Sequence, residues 1–272
     1  MGSKLISIGC SYTDHNCFPN VKYWDVHLAE YLNLELHNYA RGGAGGDMHL
    51  SMLTDAIAEH GDSIDTVAIG WSQWFRYSFP YLNGPERYNP PTVNTYEHEH
   101  QKTVWTWLKN KAPGLFWNSI IGSAYSQMYI ATKLVDSIGA KLVFAQMLNP
   151  FSMGKLRDDC FDAEKKYYQY NYLNILYDVT EGNPIYQSLA KDKRLLGFPF
   201  IEMLGGTYVT APPGFQFPEY VLGHEVPKQK FIFNEEGIAE VVDFIEIDGH
   251  PNDKGHEFIF EKVKTHYENL YG

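Results

Sequence analysis

No stretch of this chain approaches about eighteen consecutive apolar residues, so a membrane-spanning helix is not expected. Basic residues are scarce: 22 Lys and Arg stand against 33 Asp and Glu, a formal net charge of −11. The basic clusters, such as Lys191-Asp192-Lys193-Arg194, are short and interrupted by acid. Nucleic acid and anionic membrane surfaces are therefore not expected partners. Cysteine is rare too. Cys10, Cys17 and Cys160 are odd in number, which excludes a complete disulfide framework, and they lack metal-ligand spacing. Such usage suits a reducing compartment. The first residues show no charged segment followed by a long apolar one, and a cytoplasmic location is the expectation. Met1-Gly2 resembles the start of a myristoylation signal, but Ile6 stands where that signal needs Ser or Thr. Neither an internal repeat nor a low-complexity tract is visible.

What the chain does hold is apolar and aromatic side chains, 44% and 15% of its 272 residues. That is enough for one large α/β domain over residues 1–272. Lys4 to Gly9 reads as a buried strand. Pro19-Asn20 then open a helix with Val21, Trp24, Leu28, Tyr31 and Leu32 at helical spacing. Leu34–Tyr39 is a second strand, followed by the glycine-rich Asn38–Gly46 loop. Asp47 is the expected cap of the next helix and Gly61 its end. Asp65–Gly70 forms a third strand, residues 118–138 a long helix, and Lys141–Met147 a fourth strand. Phe198–Met203 is the candidate fifth strand, and Ala163–Tyr177 a candidate helix. A terminal helix begins at Asn252 or Asp253. Two stretches read as insertions, about 71–117, rich in Trp, Tyr and Pro, and about 148–230, with an irregular segment near Pro212–Pro218. Strands alternating with helices predict a three-layer α/β/α, flavodoxin-like parallel sheet.

Two short stretches carry chemistry. Ser11 follows the first strand and its terminal glycine, at the carboxyl edge where open α/β sheets bind ligands. Far along the chain, Asp248-Gly249-His250-Pro251-Asn252 precedes the last helix. In extended backbone residues i and i+2 point the same way, so Asp248 and His250 can face one edge together. A carboxylate that orients an imidazole, which in turn faces a hydroxyl, is the working unit of a serine hydrolase. Cys10, next to Ser11, points the other way and cannot share His250. The glycine loop lacks Gly-x-Gly-x-x-Gly order and a following Lys-Ser or Lys-Thr, so it suits backbone donation to an oxyanion better than nucleotide binding. Glu97-His98-Glu99-His100 and the set Asp248, His250, Asp253 and His256 have metal-ligand chemistry. They read instead as a solvated loop and a helix face, and no metal is expected.

The blocks occur in one order: Gly9-Cys10-Ser11-Tyr12, Asn38 to Gly45, Ile69-Gly70-Trp71-Ser72, and Asp-Gly-His-Pro-Asn. This order resembles the SGNH, or GDSL-type, hydrolases, over about thirty residues spread across the chain. The resemblance implies Ser11 as nucleophile, His250 as base and Asp248 as orienter. It implies an oxyanion hole from the N–H groups of Ser11 and Gly43, with Ser72 in the third-block position. The chain departs from the family pattern at Cys10, where aspartate is usual, and at Ser72, where asparagine is usual, with Gln73 following. Asp248 and His250 also lie one residue closer than in the commoner Asp-x-x-His form. The implied activity is a serine esterase or acylhydrolase for a small acyl ester, O-acetyl groups on a carbohydrate among the candidates, with no cofactor. Its partner would be a small-molecule or carbohydrate ester. The alternative is a ligand- or glycan-binding module that keeps the scaffold without turnover. Nothing in the sequence speaks to the oligomeric state.

Overall fold

Five parallel strands lie in the order β2-β1-β3-β4-β5: β1 Lys4–Gly9, β2 Glu35–Asn38, β3 Ile64–Trp71, β4 Lys141–Gln146 and β5 Leu195–Pro199. This is the flavodoxin-like order expected from the sequence. The computed structural model describes residues 3–72, 111, 113–146, 184–199, 231–233, 239–241 and 250–272. Most of both insertions, the candidate helix Ala163–Tyr177, the Pro212–Pro218 segment, Gln73 and Asp248 lie outside the described residues.

Alternation along the buried strands feeds two cores. Ile6 and Ile8 of β1, Val67 and Ile69 of β3, and Leu142 and Phe144 of β4 face one side. There they meet Met52 and Leu53 of α2 (Gly46–His60) and Met128 and Val135 of α3 (Pro113–Ser137). Leu5, Ala68, Val143 and Ala145 face the other side. They meet Trp24 and Leu28 of α1 (Trp24–Leu32), and Ile259 and Val263 of the terminal helix Asp253–Tyr271. The sheet is thus covered on both faces, the three-layer arrangement.

Several boundaries differ from the sequence reading. The first helix starts at Trp24, not at Pro19-Asn20. Its approach is held out of helical form by one local and one long-range bond: the Phe18 N–H donates to the Tyr23 hydroxyl at 3.1 Å, and the Lys22 N–H to Asp253 Oδ1 at 2.8 Å. Asp47 lies in the first turn of α2 rather than at its cap, which is Gly45. The fifth strand begins at Leu195, three residues before Phe198. A helix within the 148–230 stretch, α4 (Pro184–Lys191), precedes it, and an antiparallel pair follows, β6 (Phe231–Phe233) with β7 (Ala239–Val241). The terminal helix, α5, starts at Asp253 with Asn252 as its cap, as its sequence suggests. Among the described residues no helix is long and apolar enough to cross a membrane.

Candidate functional site

The carboxyl edge of β1 is a tight turn. The N–H groups of Thr13 and Asp14 both donate to the Cys10 carbonyl, at 2.8 and 2.9 Å. Gly9 allows this crowding: a Cβ there would stand 2.7 Å from Thr13 Cβ and 3.2 Å from the Gly70 carbonyl oxygen. Cys10 is buried in the core shared with α1 and α5. Ser11, by contrast, is half-buried at the edge.

His250 lies three residues before the start of α5. The Asn252 side chain accepts the Gly255 N–H at 3.0 Å, while Asp253 binds the Lys22 N–H, so this end of the helix is anchored to itself and to the approach to α1. The result brings His250 Nε2 to 2.9 Å from Ser11 Oγ, across 239 positions of sequence. The imidazole lies between two rings, Phe18 at 4.9 Å and Tyr12 at 5.4 Å between centroids. For the Ser11 hydroxyl to donate, Nε2 must be the unprotonated nitrogen and Nδ1 must carry the proton. Asp248, the residue expected to hold that proton, lies outside the described residues.

The register of the sheet aligns the expected oxyanion positions. The Tyr39 N–H donates to the Ser7 carbonyl at 2.8 Å and the Arg41 N–H to the Gly9 carbonyl at 3.1 Å. Gly43 follows Arg41 by two residues, as Ser11 follows Gly9. On the other flank Gly9 pairs with Gly70, and Ser11 and Ser72 each follow by two residues. Gly43 has φ +78°, a left-handed conformation that glycine adopts without a side-chain clash. In its loop the Gly42 N–H is taken by Asp14 Oδ2 at 2.8 Å and the Ala44 N–H by the Arg41 carbonyl at 3.1 Å. The N–H groups of Gly43 and Ser11 have no hydrogen-bond partner among the described residues. Ser72 is buried, its Oγ 3.2 Å from Nε2 of His49, a buried residue of α2 whose ring stands edge-on to Trp71.

Beneath the turn lie polar groups that no sequence motif announces. Asp14, 5% exposed, accepts the Asn16 N–H and the Asn16 side-chain amide through Oδ1, both at 3.0 Å. Its Oδ2 takes Gly42 and, at 3.7 Å, the Cys17 thiol. The fully buried Asp25 faces His15 Nε2 at 3.0 and 3.1 Å and accepts from the Asn38 amide at 2.8 Å. Asn38 also donates to the Thr13 carbonyl at 2.7 Å, so this network supports the back of the nucleophile turn. Burial lowers the pKa of His15, but the hydrogen bond and charge of Asp25, with the charge of Asp14, outweigh it and raise the value overall. His256, one turn into α5, is driven down to about 3 by burial. The pairs His15–Asp25, Asp25–Asn38 and Asp14–Gly42 are 10 to 28 residues apart and follow no helical or strand period, so only the folded chain brings them together. Among the described residues no group of three His, Cys, Asp or Glu side chains is arranged to hold a metal ion.

No protein-family model matches this chain, and no curated protein matches it. Among solved structures it is similar to TesA, at 14% identity and a TM-score of 0.46, covering 98% of this chain and 99% of that one. It is also similar to a GDSL-like lipase from Bacteroides thetaiotaomicron VPI-5482, at 10% identity and 0.41, covering 98% and 89%. A variant of Axe2, an acetylxylan esterase from Geobacillus stearothermophilus, aligns at 11% identity and 0.39, over 98% and 95%.

Proposed function

We propose that this protein is a serine esterase, with Ser11 as nucleophile and His250 as general base. The observation that carries the reading is the 2.9 Å approach of His250 Nε2 to Ser11 Oγ at the sheet's carboxyl edge. In the reaction Ser11 Oγ attacks the ester carbonyl carbon while Nε2 takes its proton. The carbonyl oxygen becomes an oxyanion, met by the N–H groups of Ser11 and Gly43, with Ser72 as third donor. The imidazolium returns its proton to the departing alkoxide, which leaves as the alcohol. Water then attacks the acyl-enzyme by the same route, releasing the acid and free Ser11. Asp248, by its spacing from His250, holds the Nδ1 proton and stabilises the imidazolium. His49 fits the third donor if its Nε2–H donates to Ser72 Oγ, which leaves the Ser72 hydroxyl proton for the oxyanion.

The substrate is a small acyl group on a polar carrier, O-acetyl groups on a carbohydrate being the leading class. What supports this is the absence of any long uninterrupted apolar lid segment in the sequence. The test is hydrolysis of p-nitrophenyl acetate. The wild type turns over, and Ser11→Ala reduces turnover by at least ~10³-fold with an unchanged circular-dichroism spectrum. Faster cleavage of the decanoyl than of the acetyl ester would contradict the acyl-size reading. A wild type that binds acetylated glycans but hydrolyses no ester would replace an enzyme by a binding module.

A further inference from the structure

We propose that Asp14 is the positioning residue of the oxyanion loop, its carboxylate tying Gly42 to the nucleophile turn so that the Gly43 N–H is left to meet the oxyanion. The inference rests on the esterase reading and deepens it. Asp14 is itself fixed, since its N–H donates to the Cys10 carbonyl at 2.9 Å. Through the Gly42 N–H at 2.8 Å it holds the loop where a Cβ on Gly42 would lie 4.0 Å from Ser11 Cβ. Arg41 and Ala44 commit their N–H groups to the Gly9 and Arg41 carbonyls. With Gly42 bound to Asp14, the N–H left over in this part of the loop is that of Gly43.

The chemistry explains why an acid occupies this position. Four donors converge on the group: the Gly42 N–H and the Cys17 thiol on one oxygen, the Asn16 N–H and side-chain amide on the other. A carboxylate has two oxygens with about four lone-pair sites and satisfies all of them. An asparagine has one acceptor oxygen, so its NH2 group would face one of the two donor pairs whichever way it turned. The loop would then shift by a fraction of an ångström, which is enough to misdirect a donor that acts only in the transition state.

The experiment compares p-nitrophenyl acetate kinetics and fluorophosphonate labelling rates for wild type, Asp14→Asn, Asp14→Ala, Gly42→Ala and the Asp14→Asn/Gly42→Ala double variant. All are assayed well below their melting temperatures. The Cβ of Gly42→Ala would stand 2.9 Å from Cys17 Sγ and so displaces the same loop by another route. The expected result is a fall in kcat of about 10²-fold for Asp14→Ala, and somewhat less for Asp14→Asn. KM stays within about twofold, labelling slows in parallel, and the double variant is little worse than its poorer single. A purely structural role lowers the melting temperature and leaves kcat of the folded fraction unchanged. An active wild type whose Asp14→Asn keeps kcat within threefold, or a multiplicative double variant, overturns the role of Asp14 and leaves the esterase reading standing. A wild type that neither hydrolyses the ester nor takes the label overturns that reading, and this proposal with it.

Discussion

Two histidines flank the start of α5, six positions apart, and the molecule treats them in opposite ways. His250 lies between the rings of Phe18 and Tyr12, and His256 against the ring of Tyr23. Aromatic surroundings therefore do not separate them. The difference lies in what each ring nitrogen meets. Nε2 of His250 faces a hydroxyl at the open edge of the sheet. Nδ1 of His256 accepts the Trp24 N–H at 3.4 Å inside the core, and the residue is 1% exposed. Burial outweighs the nearby charge of Asp25 and favours the neutral ring, which suits a residue that spaces two helices and takes up no proton near neutral pH.

The largest effects should separate this pair. His250→Ala is expected to lower ester turnover by at least ~10³-fold while leaving the thermal melt within ~2 °C of wild type, since the proposed function makes it one reactive unit with Ser11. His256→Ala should do the reverse. It removes a buried ring and leaves the Trp24 N–H unanswered, at a cost of about 1–3 kcal/mol, a drop of roughly 5 °C in Tm, with kcat of the folded protein preserved. Parallel kinetics and melts of both variants check this.

Next comes Ser72, the proposed third donor. Ser72→Ala is expected to lower kcat by about 10²-fold, the usual cost of one oxyanion donor, whereas Gln73→Ala leaves it within a few-fold. Equal and small effects would assign the hole to backbone groups alone.

Acid should sharpen the contrast further. The folded-state pKa of His256 lies far below the ordinary value, so the unfolded chain takes up a proton that the folded chain refuses. The stability associated with the neutral ring is present above pH ~6.5 and is lost as pH falls toward about 3. Between pH 7 and 5 this group alone should cost about 1–2 kcal/mol. His15 carries the opposite sign: its raised pKa makes its pairing with Asp25 fully present below pH ~6.5 and lost as pH rises through the higher folded value. Urea midpoints from pH 5 to 8 should therefore vary less with pH in His256→Gln and fall more steeply with acid in His15→Gln.

The smallest effect concerns Cys17. Burial, then the charge and hydrogen bond of Asp14, push its thiol up to about 12. Iodoacetamide at pH 8 should modify it slowly, and several-fold faster in Asp14→Asn, as peptide mapping would show.

These contrasts also mark what could be read before folding. Lys4 to Ser11 was legible because an apolar run ending in glycine is a local signal, and the Asn252 cap because capping acts over three residues. The parallel order followed from the alternation of strands and helices. The start of α1 was misplaced because Tyr23 and Asp253 set it from outside the 19–22 stretch. The bond of Asp14 to Gly42 joins two loops and that of Asp25 to Asn38 joins α1 to the end of β2, both through tertiary contact, so no spacing rule exposes them. An acid three residues after the candidate nucleophile was the one available hint of Asp14.

The central claim is that Ser11 is a nucleophile activated by His250. Intact-mass analysis after exposure to a fluorophosphonate, followed by peptide mapping, tests it most directly. A single adduct on Ser11, absent from Ser11→Ala and at least ~10³-fold slower to form in His250→Ala, is the predicted result. An unlabelled wild type, or an adduct that persists in Ser11→Ala, would contradict it.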